Sequence, residues 1–212
     1  MIDWQYKLIQ NWIKQGEGPT LDFKKVIKSP VKIAKTMVAY ANSRGGRIVV
    51  GITDEGRVKG VKPEGEKHHL FQAAKDYCRP LISLSFEELN FNGATVLVVH
   101  IQESNEKPHY AVEENGQLSL YVRVQDESIV APDFIATVLK SGDLNHIYRT
   151  PKLVKAKEEL ITYLKEVKMI TMADYMTWRN TSERSANRFL VDMLLEGVIF
   201  FKLENNEIKF FL

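Results

Sequence analysis

TLDFKKVIKSPVKIAKTMVAYANSRGGRIVVGITDEGRVKGV, residues 20–61, holds the strongest charge asymmetry in the chain. Thr20–Val26 reads as a strand. Ser29-Pro30 is a helix start, because serine caps a helix and proline suits its first position. Ile33, Ala34, Met37, Val38 and Ala41 then recur at helical spacing and predict a buried stripe. Lys28, Lys32 and Lys35 fall outside that stripe and are expected to face solvent or a ligand. Asn42-Ser43-Arg44-Gly45-Gly46 closes the helix with a tight turn. Ile48–Ile52 is a short apolar run of central-strand type, and Asp54-Glu55-Gly56 predicts a hairpin turn into Val58–Val61. Between Phe23 and Thr53 there are seven Lys or Arg residues and no Asp or Glu. Glu17, Asp22 and Asp54 stand at the margins. A basic surface with acids at its edges is either a nucleic-acid platform or a metal-dependent nuclease site.

Outward from this stretch the pattern is mixed. Residues 4–14 place Trp4, Leu8, Ile9 and Trp12 on one helical face, and Gly16 ends that helix. Residues 64–79 read as a helix with Leu70, Phe71, Ala74 and Tyr77 inward. Leu84–Ile101 reads as a hairpin turning at Asn92-Gly93, Leu118–Val124 as a strand and Pro132–Lys140 as a short helix. Two hairpins make a purely parallel sheet a poor reading, so the expectation is a mixed α/β domain over residues 1–140. Residues 141–151 form a turn-rich linker. Beyond it, Lys152–Val167, Thr171–Trp178 and Thr181–Leu195 read as three helices, followed by strands at Val198–Leu203 and Ile208–Leu212. That order predicts a winged helix-turn-helix over residues 152–212.

Composition narrows the function classes. The 212 residues are 44% hydrophobic and 26% charged with a net charge of +2, an ordinary globular balance. Residues 152–212 carry 10 basic and 9 acidic residues, so neither part is globally basic and any nucleic-acid surface must come from local clustering. Cys78 stands alone, which excludes an intrachain disulfide and a cysteine-rich metal site and fits a cytoplasmic compartment. It reads as a packing residue. No apolar run is long enough to span a membrane.

Several separated strings resemble one family. They are Leu21-Asp22-Phe23-Lys24, Ala39-Tyr40-Ala41-Asn42-Ser43-Arg44-Gly45-Gly46, Val50-Gly51-Ile52-Thr53-Asp54 and Val58-Lys59-Gly60-Val61, with Lys107-Pro108-His109 and Tyr121-Val122-Arg123 further on. Together they look like the Schlafen AlbA-like domain, with Asp22 for the usual Glu, Tyr40 for Phe and Ser43 for Thr. The resemblance implies a nucleic-acid-binding α/β domain, here joined to a helix-turn-helix in a regulator-like protein. In vertebrate Schlafen proteins related domains cleave structured RNA with three acidic residues. By position these correspond to Glu17, Asp22 and Asp54.

The candidate residues follow. Glu17, Asp22 and Asp54 offer hard oxygen ligands for Mg²⁺ or Mn²⁺ and are the catalytic and metal candidates if the protein is a nuclease. The plainer reading makes Asp54 a turn residue and Asp22 the partner of a nearby lysine. Lys24, Lys28, Lys32, Lys35, Arg44, Arg47 and Arg123 are the candidate phosphate contacts of the first domain, and Arg123, within YVRV, reads equally as a sheet-face ion pair. Arg184, Asn187 and Arg188 are those of the recognition helix. Acidic residues at Glu183, Asp192, Glu196, Glu204 and Glu207 instead suit a protein-interaction module. His68 and His69 are adjacent and make a poor metal pair, and His109 reads as a surface loop residue. Binding requires no cofactor, and the absence of a G-x-x-x-x-G-K-[ST] loop argues against ATP. The expected partner is DNA or RNA, with a homodimer possible.

Overall fold

The computed structural model describes residues 4–141, 151–205 and 207–212. The chain divides into two compact units after Ala131. The first contains α1 (Trp4–Gln15), β1 (Leu21–Lys24), α2 (Pro30–Asn42), β2 (Gly46–Val50), α3 (Pro63–Asp76), β3 (Cys78–Arg79), β4 (Leu84–Phe91), β5 (Ala94–Ile101), β6 (Tyr110–Val112), β7 (Leu118–Val124) and β8 (Glu127–Val130). One sheet runs β1-β2-β5-β4 and a second runs β3-β6-β7-β8. Only the β1–β2 pair is parallel; every other pairing is antiparallel. The expected mixed α/β class is observed, but as two sheets. The short strands β3, β6 and β8 escaped the sequence reading because two to four residues cannot display a period.

Helix α2 is the centre of this unit. Ser29 caps it by accepting from Lys32 N, and Pro30 occupies its first turn. Its residues Ile33, Ala34 and Thr36 to Asn42 are all buried. They pack with Ile48, Val50, Leu97 and Val99 of the first sheet and with Ala111 and Tyr121 of the second. The helix is therefore covered on two faces, and only its first turns carry lysines. The other face of the first sheet presents Leu21, Phe23, Val49, Leu89, Val96 and Val98 to Ile9 and Trp12 of α1. Two expected inward residues lie outside: Trp4 is 59% exposed and Phe71 55%. Trp4 begins its helix, and Phe71 rests edge-on against Phe86 at 5.1 Å.

The β1 strand is shorter than expected, ending at Lys24. Beyond it Glu66 Oε2 accepts from Ile27 N at 2.7 Å, which draws the chain away from the sheet toward α3. Gly45 has φ +69°, and a Cβ there would lie 2.7 Å from Ile101 O and Glu103 N. The turn into β2 thus requires glycine for both conformation and space.

The second unit contains α4 (Asp133–Lys140), α5 (Pro151–Val167), β9 (Met169–Thr171), α6 (Met172–Arg179), α7 (Glu183–Leu195), β10 (Phe200–Glu204) and β11 (Glu207–Phe211). Helix α4, expected to close the first domain at residue 140, groups with this unit, where Phe134 meets Phe210 edge-on at 6.2 Å. The expected linker lies mostly outside the described residues. Thr171 and Asp174 form a reciprocal capping box on α6, and Ser182 caps α7. The three strands form a sheet in the order β10-β11-β9.

Candidate nucleic-acid interface

The parallel pair β1–β2 is joined through α2, so the carboxyl ends of both strands and the amino end of α2 share one edge of the first unit. Gly51 N donates to Lys24 O at 2.7 Å and ties the two strand ends together. Lys25, Lys28 and Lys32 are exposed there, and no ion pair forms on them among the described residues. The first turn of α2 holds no acid, so its backbone N–H groups add a partial positive charge to the same edge. Clustered cations at a helix N-terminus are suited to phosphate, and the nearby Glu66 carboxylate is engaged by Ile27 N rather than by a lysine. Lys25, which the sequence reading passed over, belongs with this group; its place between Lys24 and Lys28 was the available signal.

The other basic candidates are not part of that cluster. Lys35 Nζ pairs with Glu113 Oε2 at 2.7 Å and sits 5.3 Å from the Tyr121 ring centre; the hydrogen bond to Glu113 raises its pKa. Arg44 is exposed at the opposite end of α2. Thirteen helical residues rise roughly 20 Å, so a run that is continuous in sequence is split in space. Arg47 lies over the Trp12 ring at 5.2 Å. Arg123 is 3% exposed, so of its two readings the ion pair is the one observed. Its guanidinium donates to Gly18 O, to Ser128 Oγ at 3.2 Å and to Asp22 Oδ1 at 3.1 Å. It is an internal ion pair linking β7 to β1.

The acidic trio is brought to one neighbourhood. Glu17 Oε1 accepts from Phe23 N at 2.6 Å and stands 3.9 Å from Lys24 Nζ. Its pKa is raised, chiefly by partial burial, with the charges of Asp22 and Asp54 acting in the same direction. Asp22 is 4% exposed. One of its oxygens is held by Arg123. The other lies 2.6 Å from Lys24 Nζ, in an ion-pair contact rather than a directed hydrogen bond. Asp54 is exposed in the turn after β2.

Mg²⁺ and Mn²⁺ require several carboxylate oxygens converging on one point. Among the described residues no three His, Cys, Asp or Glu side chains stand so as to hold a metal. With Asp22 neutralised by two cations, the trio in this arrangement does not fit a metal centre.

The remaining motif residues are internal. Asn42 is fully buried; its Nδ2 donates to His109 O and Tyr121 O, and its Oδ1 accepts from His109 N at 2.7 Å. Ser43 Oγ accepts from Arg123 N. His109, expected on the surface, is 2% exposed. Its Nδ1 faces Pro80 O and its Nε2 faces Ser104 Oγ at 2.7 Å, and burial lowers its pKa. Cys78 is buried as expected. On α7, Arg184 is exposed, whereas Asn187 and Arg188 are half-buried.

An α/β unit built on a buried crossover helix, with an internal acid–arginine pair and a lysine edge, is the class of protein defined so far. The chain belongs to the family described as Schlafen, AlbA_2, whose model matches residues 17–132, more than half of the sequence. Membership points to a nucleic-acid-related role. No curated protein matches the chain. Among solved structures, the DIP2311 protein from Corynebacterium diphtheriae aligns at 17% identity and TM-score 0.42, over 61% of this chain and 30% of that one. The N-terminal domain of a RecG-related protein from Nitrosomonas europaea aligns at 20% identity and TM-score 0.46, over 62% of this chain and 96% of that one. The chain thus spans about a third of the Corynebacterium protein. No helix among the described residues is long and apolar enough to cross a membrane.

Proposed function

We propose that this protein binds DNA or RNA through the lysine edge of its first unit, and that its second unit is a winged helix-turn-helix that directs a regulatory role. The observation that carries the reading is the group Lys25, Lys28 and Lys32, exposed and without acidic partners at the amino end of α2. Unopposed cations of this kind supply salt-dependent phosphate contacts. Family membership supports the same ligand class. In the second unit, helices α5, α6 and α7 followed by the β10–β11 hairpin support the winged-helix assignment, with α7 as the recognition helix carrying Arg184, Asn187 and Arg188. No cofactor enters this reading.

The test is titration of labelled duplex DNA and of structured RNA at several salt concentrations. The triple change of Lys25, Lys28 and Lys32 to Gln is expected to weaken binding at least tenfold. It should also flatten the salt slope by about 2–3, near 0.9 per lost phosphate contact on duplex DNA. Absence of binding by the unaltered protein at low salt sinks the proposal. The same mixtures incubated with Mn²⁺ test the nuclease reading: cleavage that disappears in Asp54→Asn while binding persists would establish it.

A further inference from the structure

The sheet of the second unit presents an aromatic and basic face that the recognition-helix reading does not use. Side chains alternate across a strand, and the register places Phe200, Phe211 and Met169 side by side in one row across β10, β11 and β9. Phe210 and Ile170, on the opposite face, are buried in the unit's core. The row itself is open: Met169 is 39% exposed, Phe200 and Phe211 are half-buried, and the two rings lie 5.9 Å apart. The next row on that face contains Lys202, Lys209 and Thr171, and the row at the strand connection contains Glu204 and Glu207. Glu204 pairs with both Lys202 and Lys209, at 3.2 and 2.7 Å. Charge therefore changes sign along the face, from acid at the strand connection toward base at the aromatic end.

At that end a cleft of about 490 Å³ is lined by Leu164, Lys165, Lys168, Met169, Lys202, Phe211 and Leu212. Lys165 and Lys168 are exposed. Lys168 Nζ donates only to Lys165 O, and neither ammonium meets an acid among the described residues. No acidic side chain lines the cleft.

We propose that this face is a binding site for single-stranded nucleic acid, with bases resting on Phe211 and Met169 and phosphates held by Lys165 and Lys168. Charge complementarity selects the occupant. An acidic, base-bearing strand satisfies both the apolar row and the unpaired lysines. A duplex buries its base faces and could use only the lysines. The inference rests on the nucleic-acid reading above, but places a second contact away from α7 and away from the strand connection, where Glu204 and Glu207 repel phosphate.

Fluorescence anisotropy of a labelled twelve-residue oligothymidylate against the full chain tests it. Lys165→Gln with Lys168→Gln is expected to weaken binding about tenfold and reduce the salt slope by about 1.4, near 0.7 per contact for a single strand. Phe211→Leu keeps the apolar bulk but removes the ring, and should weaken the oligothymidylate at least about fivefold while leaving duplex binding unchanged. If that variant fails to fold by circular dichroism, the lysine pair still decides. Unchanged affinity in the lysine pair overturns the site. So does displacement of the oligonucleotide by a polyglutamate peptide at equal charge, because a purely electrostatic surface would then explain the binding. The triple change of Lys25, Lys28 and Lys32 separates the two ideas. If it abolishes all binding and the Lys165/Lys168 pair changes nothing, the sheet-face site fails and the first-unit reading stands. The reverse pattern removes the first-unit reading alone.

Discussion

The two ends of α2 differ in what their polar groups do. At the amino end Lys25, Lys28 and Lys32 face outward without acidic partners. At the carboxyl end Asn42 and Ser43 face inward and bind the backbone of β7 and the segment before β6. Both ends lie within one continuous stretch of sequence, yet one is open to solvent and the other is built into the scaffold. A conspicuous polar motif therefore does not mark a site by itself; burial and hydrogen-bond satisfaction distinguish the two roles.

The inner and outer acids are expected to differ most in what they contribute to stability. Asp22→Ala leaves the Arg123 guanidinium buried beside one carbonyl and a hydroxyl, and should lower stability by about 3–5 kcal/mol. Asp54→Ala, in the exposed turn, should stay within about 0.5 kcal/mol. Urea unfolding of both variants checks the pair, and equal losses would contradict the division between inner and outer acids. Asn42→Ala removes the partner of three buried backbone groups and should cost at least about 3 kcal/mol, whereas the triple lysine change should leave the unfolding midpoint nearly unmoved.

A smaller effect sharpens the inner end. The Tyr40 hydroxyl is buried without a hydrogen-bond partner, and Arg123 lies 5.0 Å from the Tyr40 ring centre. Tyr40→Phe removes an unsatisfied polar group and is expected to be neutral or stabilising by about 1 kcal/mol. The smallest effect concerns pH. Glu17 has a raised folded pKa, so the folded state holds its proton more tightly than the unfolded chain. Its contribution to stability is greatest below about 4.5, the ordinary value, and declines as pH rises through the raised value. Glu17→Gln should remove that decline while keeping an acceptor for Phe23 N. A stability profile unchanged between pH 4 and 7 would count against the assignment.

Much of the fold was legible in sequence because its signals are local. Ser29-Pro30 marked the start of α2, Asn92-Gly93 marked the β4–β5 turn, and the starts read at Thr171 and Thr181 fall within two residues of α6 and α7. What was not legible depends on contacts distant in sequence. The stripe on α2 suggested one buried face, but its burial on two faces follows from β6 and β7, about 70–80 residues later. For the same reason the sequence left Arg123 open between a phosphate contact and an ion pair, because its partner Asp22 lies 101 positions earlier. The basic run reads as one group in sequence but is split in space, since sequence adjacency hides the length of the helix between Lys35 and Arg44.

The Asn42 side chain has a consequence for motion. His109 N–H lies just before β6, outside any regular ladder, yet its acceptor is a buried amide fixed at three points. Such an amide is released only when the two-sided packing around α2 opens. In deuterated water, His109 should exchange as slowly as the central strand residues Val98 and Val99, while the exposed Asn105 in the preceding turn exchanges freely.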